Sequence, residues 1–188
     1  MTDEEIIALQ DRVGTKPDGF WGPKSKAACI SYLRSHAPEL SPWPPAKDSR
    51  LREFYGEPWD NDPIIYVDAP EWMRLYNDES KVQYIACHEK VADSLLRCLH
   101  NAYMYATDVV SRYYGCHVDR PMRGGHKPSL HAYGAAIDLD ALTNRNRQAW
   151  PISATMPLDV MVEFAKEGWL PAGALWGRDA MHFQATRW

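Results

Sequence analysis

Two short stretches carry side chains whose types and spacing could hold a metal ion. The first is SLHAYGAAIDLD, residues 129–140. If residues 135–140 form a strand, Ala135, Ile137 and Leu139 face the core, while Ala136, Asp138 and Asp140 face the other way. An unbroken strand would place His131 and Asp138 on opposite faces, and an unbroken helix would hold them about 10 Å apart. Gly134 permits a turn between them, and the small Ala136 leaves space above the strand, so both side chains could reach one ion. The second stretch is DAMHFQ, residues 179–184. There Met181 and Phe183 alternate with His182 and Gln184, which makes one strand face apolar and the other polar. Two histidines and a carboxylate are a usual protein ligand set for catalytic zinc, with the fourth position left to water. A further carboxylate nearby, Asp179, could then act as general base. A hydrogen-bonded core histidine beside a surface aspartate is the competing reading of the first stretch taken alone.

The remaining pattern predicts the elements that must position these groups. Residues 2–13 read as a helix with a Thr2/Glu5 capping box, an apolar face of Ile6, Leu9 and Val13, and Gly14 after it. Pro17-Asp18-Gly19 signals a turn, and a second helix is expected over 24–36, with Ala27, Ile30 and Leu33 on one side. Residues 38–70 hold seven prolines interleaved with aromatics, a composition that argues against helix and for a segment wrapped on the domain C-terminal to it. The longest helix is expected over 79–106, where Ala92, Leu95, Leu96, Leu99 and Tyr103 keep helical spacing. Extended segments are expected at 108–118 and 135–140, another helix from Pro157 to Glu167, and a closing strand in AMHFQATRW. These elements lack a βαβ rhythm, so the class is α+β. The expected architecture is a small antiparallel sheet with flanking helices carrying the metal site, preceded by a small all-α module. The expected divisions are a helical module over 1–40, a Pro/Trp-rich connection over 41–72 and a catalytic domain over 73–188.

Composition narrows the function classes. The chain has 188 residues, a formal charge of −4 and an isoelectric point near 6.0, with no lysine or arginine cluster. That argues against nucleic acid or an anionic membrane as partner. No apolar run reaches membrane-spanning length, and MTDEEIIALQ lacks a signal-peptide layout, so the expectation is cytoplasmic synthesis. The four cysteines show no CxxC spacing. Cys87 and Cys98, placed on one helix, would lie about 16 Å apart, so free buried thiols are expected. Without a heptad or apolar stripe, a monomer is the default.

Ser129-x-His131-x-x-Gly134-x-Ala136-x-Asp138, followed by Asp179-x-x-His182, resembles the zinc peptidases typified by D-alanyl-D-alanine carboxypeptidases and phage L-alanyl-D-glutamate endolysins. Lysostaphin and the hedgehog signalling domain belong to their wider group. The resemblance spans roughly residues 80–188. It implies one Zn²⁺ held by His131, Asp138 and His182, with Asp179 as the catalytic acidic residue and Ser129 shaping the ligand loop. It also implies an upstream arginine for a substrate carboxylate or the oxyanion. Arg120 and Arg123 are the candidates, and Arg123 is favoured because two glycines follow it. His126 and Tyr133 are placed at the cleft border as possible substrate contacts. The very short WGR segment before Asp179 departs from the family pattern.

LQDRVGTKPDGFWGPKSKAACISYL is similar to three-helix peptidoglycan-binding modules, through Asp18, Gly19 and Trp21 among others. The alternative is a helical hairpin that only packs on the rest. Together the two resemblances imply bacterial peptidoglycan as partner. They imply a phage-type endolysin made in the host cytoplasm and reaching the wall after membrane permeabilisation. The alternatives are a D-alanyl-D-alanine carboxypeptidase and a zinc-containing protein that binds wall without cutting it.

Overall fold

The computed structural model describes residues 1–121 and 125–188. The site's frame is a five-stranded sheet of β2 (Arg74–Leu75), β4 (Arg112–Gly115), β5 (Ala136–Leu139), β7 (His182–Gln184) and β6 (Leu170–Pro171), ordered β2-β4-β5-β7-β6. Three of its pairings are antiparallel, but β2 runs parallel to β4, so the sheet is mixed at one edge. All four residues of the central β5 are buried, so its run of small and apolar side chains is covered on both faces. Ile137 lies opposite Phe183 and Asp138 opposite His182. Cross-strand partners share a face, and this register carries the two polar residues to the same side.

Helices α4 (Ala92–Tyr103) and α6 (Leu158–Lys166) close the core. Leu95, Leu99, Phe164, Trp169 and Phe183 are completely buried, each large side chain contributing about 1.5–3 kcal/mol relative to exposure. Phe164 stacks on Phe183 at 4.1 Å, which ties α6 to the strand that bears His182. Short helices α5 (Thr107–Val110) and α7 (Ala172–Trp176) lead into β4 and toward β7.

The N-terminal pair, α1 (Asp3–Arg12) and α2 (Pro23–His36), forms close to its expected bounds. Both halves of the Thr2/Glu5 capping box are made. The Gln10 amide donates to Asp18, to the Phe20 carbonyl and to Ser25, and its oxygen accepts from the Gly19 N–H. Leu9, Val13, Cys29 and Leu33 join the same apolar core as α4 and α6. Arg12 forks onto Asp159 of α6 at 2.9 and 2.5 Å, and Trp21 meets Trp150 edge-on at 5.4 Å.

Two expectations are corrected. Within the proline-rich 38–70, α3 (Asp48–Tyr55) forms, because the prolines flank residues 46–57 and leave that window free. Leu51 and Tyr55 bury one side of it, and Arg52 pairs with Asp48 one turn back at 3.0 Å. The helix expected over 79–106 begins only at Ala92. Residues Tyr84–His88 are instead β3, antiparallel to β1 (Ile64–Asp68). Tertiary pairing overrides a pattern that local spacing alone extends too far. Cys87 and Cys98 therefore do not share a helix. All four cysteines are buried and free, and burial pushes the Cys29 and Cys87 thiols up to about 12. The extended 108–118 narrows to β4, and the closing strand to three residues.

The connecting segment does wrap onto the rest. The Trp43 indole donates to the Glu167 carbonyl at 2.8 Å, and the Tyr55 hydroxyl to the Ala185 carbonyl at 2.6 Å. No helix among the described residues is long and apolar enough to cross a membrane.

Candidate metal centre

His131 reaches the sheet through a 3₁₀ turn, Leu130–Tyr133, that ends at Gly134 with φ of 62°. A Cβ on Gly134 would lie 2.6 Å from the His88 backbone nitrogen and 2.7 Å from Ile64. Both the left-handed backbone and the close approach therefore require glycine. Ser129 caps the turn, its hydroxyl accepting from the His131 N–H at 3.3 Å. The chain thus folds back and sets His131 over the face that carries Asp138 and His182.

The three side chains form a buried triangle. His131 Nε2 is 3.2 Å from His182 Nδ1 and 3.3 Å from Asp138 Oδ1, and His182 Nδ1 is 2.9 Å from that same oxygen. Tetrahedral zinc with its usual bond lengths separates its ligand atoms by about 3.3–3.5 Å; two sides of the triangle are close to that and the third is shorter, so a small opening of the His182–Asp138 pair would seat one such ion. Tautomers agree with this. His131 Nδ1 lies 2.7 Å from the Cys116 carbonyl, which can only accept, so Nδ1 carries the proton and Nε2 presents a lone pair. His182 Nε2 faces Gln184 Oε1 at 3.1 Å, while the Gln184 amide nitrogen donates to Thr186 at 2.6 Å. That leaves His182 Nδ1 as a second lone pair. Two imidazole lone pairs and a carboxylate oxygen converging in a buried space repel one another unless a cation or a proton sits among them. Outer partners that fix tautomer and ring orientation in this way are typical of metal-binding histidines.

The electrostatics point the same way. Burial alone would raise the Asp138 carboxyl, but the facing His131 and His182 hold it well below the usual carboxylate range. Burial disfavours charged His182, yet Asp138, then Asp179 and Gln184, hold its pKa above the ordinary value. The pocket is built for positive charge.

Above the triangle lies a cavity of about 290 Å³, lined by Arg120, Ser129, Asp179 and Trp176 along with the three candidate ligands. Asp179 has φ of 59°, a left-handed conformation that aspartate tolerates better than most residues, and its carbonyl accepts from the His182 N–H at 2.9 Å. The Trp176 ring stacks on His182 at 5.5 Å. Of the two candidate arginines, Arg120 borders this cavity, and Arg123 lies outside the described residues. His126 is exposed on its loop. Tyr133 is buried, with its ring 6.3 Å from that of Tyr55, and is not among the residues that line this cavity. Asp140 accepts from Thr143 and Asn144 and pairs with Arg112 at 3.3 Å, tying down a loop. In the N-terminal pair, Asp18 and Gly19 are held by Gln10, and Trp21 packs on Trp150.

Sequence reasoning left Gln184, Asn144 and Arg178 without roles. Gln184 had a signal, because it shares a strand face with His182. Asn144 had none: its side chain receives the Thr155 and Met156 N–H groups, and its carbonyl that of Met181, bracing the chain just before His182.

A small mixed sheet thus presents a buried His/Asp/His triangle that could hold a metal ion to an open cleft with an aspartate on its wall. Residues 123–185 match the family model described as D-alanyl-D-alanine carboxypeptidase. The match covers about a third of the chain, includes the three candidate ligands and Asp179, and supports a metallopeptidase. No curated protein and no solved structure matches the chain.

Proposed function

We propose that this chain is a zinc-dependent peptidase that cuts the stem peptide of bacterial peptidoglycan, as a phage-type endolysin acting on the L-alanyl-D-glutamate bond. The observation that carries the reading is the convergence of His131, Asp138 and His182 on one point beneath a cleft walled by Asp179.

Zinc bound by these three residues supplies Lewis acidity for the scissile carbonyl and the attacking water. Asp179 accepts the water's proton on its carboxylate and hands it to the leaving amine nitrogen. Arg120, on the cavity wall, offers a guanidinium fork to a substrate carboxylate or the developing oxyanion. Ser129 and the Cys116 carbonyl hold His131 in orientation, and Gln184 does the same for His182. The α1–α2 pair, acting as a wall-binding module, raises the local concentration of substrate. The chain works as a monomer, is made in the host cytoplasm and meets the wall once the membrane is permeabilised.

Mass spectrometry of peptidoglycan digested by the zinc-loaded chain tests this reading. New N-terminal D-glutamate is the expected product. Release of free D-alanine would establish instead the carboxypeptidase reading, which the description of the matching family model favours. Absence of any new amine, from wild type and Asp179→Asn alike, would establish a non-catalytic wall binder.

A further inference from the structure

A larger cavity adjoins the one over the candidate ligands. It measures about 600 Å³ and shares the wall residues Asn146, Arg178 and Met181 with the smaller one, so the two are neighbours. Its walls carry Arg145, Arg147 and Arg178 with Tyr76 and Tyr114, and no aspartate or glutamate. The arginines come from two loops that the fold brings together, one after β5 and one before β7. Arg178 Nη1 is held by the Asn146 side-chain oxygen at 3.3 Å, and Arg145 Nε by the Ala141 carbonyl at 3.2 Å. Tyr76 stands edge-on to Tyr114 at 4.5 Å, giving the far wall its shape.

Five arginines elsewhere, Arg12, Arg50, Arg52, Arg97 and Arg112, each pair with a carboxylate, while Arg34, Arg74, Arg120 and Arg187 stand singly without one among the described residues. Arg145, Arg147 and Arg178 make no such pair among the described residues. In a chain of net charge −4, three uncompensated guanidiniums around one concave surface focus positive potential there. Solubility does not ask for this, and the hydrogen bonds that hold Arg145 and Arg178 leave their charge unneutralised.

We propose that this cavity is an anion subsite, which binds a free carboxylate on the substrate residue next to the cleaved bond. The inference rests on the metal site being a peptidase site, and it adds the chemical feature by which substrates are selected. Guanidinium forks match a carboxylate with two parallel charge-assisted hydrogen bonds, which a carboxamide cannot reproduce. The cavity therefore distinguishes an acidic stem-peptide residue from its amidated form, a difference of one oxygen for one NH₂.

The test uses the zinc-loaded full chain and two peptides, L-Ala-γ-D-Glu-L-Lys-D-Ala and the same peptide with the glutamate α-carboxyl amidated. Wild type is expected to favour the carboxylate form in kcat/KM by roughly 10-fold, in line with hydrogen bonds to charged groups. Arg145→Gln/Arg147→Gln is expected to bring the two peptides within about twofold, with zinc content and melting midpoint as checks on folding. Arg147→Lys, which keeps charge but loses the fork, should fall between. Equal use of both peptides by wild type, or an undiminished preference in the double variant, would overturn the subsite. If neither peptide is cut, binding followed by tryptophan fluorescence separates the two claims. Tighter binding of the carboxylate form, lost in the double variant, would leave the subsite standing and remove the L-alanyl-D-glutamate reading. Equal binding of both forms would remove the subsite too.

Discussion

In the N-terminal helix pair, Gln10 spends its side-chain amide on its own turn, donating to Asp18, Phe20 and Ser25 and accepting from Gly19. In the metal centre, His131 and His182 spend only their outer nitrogens on the fold, at Cys116 and Gln184. Their inner nitrogens and Asp138 face each other across about 3 Å. Both regions are built from residues that a motif singles out, and both turn on a left-handed glycine, Gly19 or Gly134. Where motif residues saturate one another, they fix the local fold. Where two imidazole lone pairs and a carboxylate converge, a proton or a metal ion completes them. The DGFW turn therefore explains the shape of the helix pair, while the triangle has the donors to hold a metal ion.

The largest expected effect comes from breaking the triangle. His182→Ala or Asp138→Asn should abolish stoichiometric zinc binding, measured by metal analysis after dialysis, and reduce hydrolysis to background. Retention of one zinc per chain in both variants would move the metal elsewhere. Asp179→Asn sharpens the division of labour: kcat should fall by about 10²–10⁴-fold, the usual worth of a general base, with zinc retained. Gln184→Leu removes the partner that holds His182 and should weaken zinc about 10–100-fold, as loss of outer-shell support does, read by competition with a chelating dye.

In the helix pair the currency is stability. Gln10→Ala takes a partner from the buried Ser25 and the half-buried Gly19 and should cost about 1–3 kcal/mol in urea unfolding, with zinc affinity unchanged. A fall in zinc affinity would show the two regions to be coupled. The smallest effect belongs to the Arg12–Asp159 fork. The hydrogen bond from Arg12, ahead of the burial that opposes it, holds the Asp159 carboxyl below its usual range. Stability from this pair is therefore present above an unfolded pKa of about 3.9 and is lost as pH falls through the lowered folded value. Both groups are more than a third exposed, so the loss should be at most about 1 kcal/mol. Arg12→Ala should flatten that part of the acid unfolding profile.

How much of the molecule was legible in the chain depends on the range of the interactions involved. Local signals worked: the Thr2/Glu5 box, the Pro17-Asp18-Gly19 turn, and Gly134 between two polar residues all act within a few positions. The alternation in SLHAYGAAIDLD and DAMHFQ marked the faces of β5 and β7, but not that Asp138 would sit directly opposite His182, which is a matter of register. Long-range pairing was illegible: β3 looks helical until β1 is available to pair with it, and α3 is hidden by the prolines on either side. Asn144 and the arginine cavity were missed for a related reason. Their parts come from separate loops, and no spacing rule connects residue 145 to residue 178.

The central claim is that one metal ion in this triangle is the agent of hydrolysis. It is tested most directly by stripping the full chain with a chelator, resupplying zinc in substoichiometric steps and following amine release from purified peptidoglycan. The account predicts activity that rises in proportion to zinc and saturates at one ion per chain. Full activity in the stripped protein, or no activity at any zinc level, would contradict it.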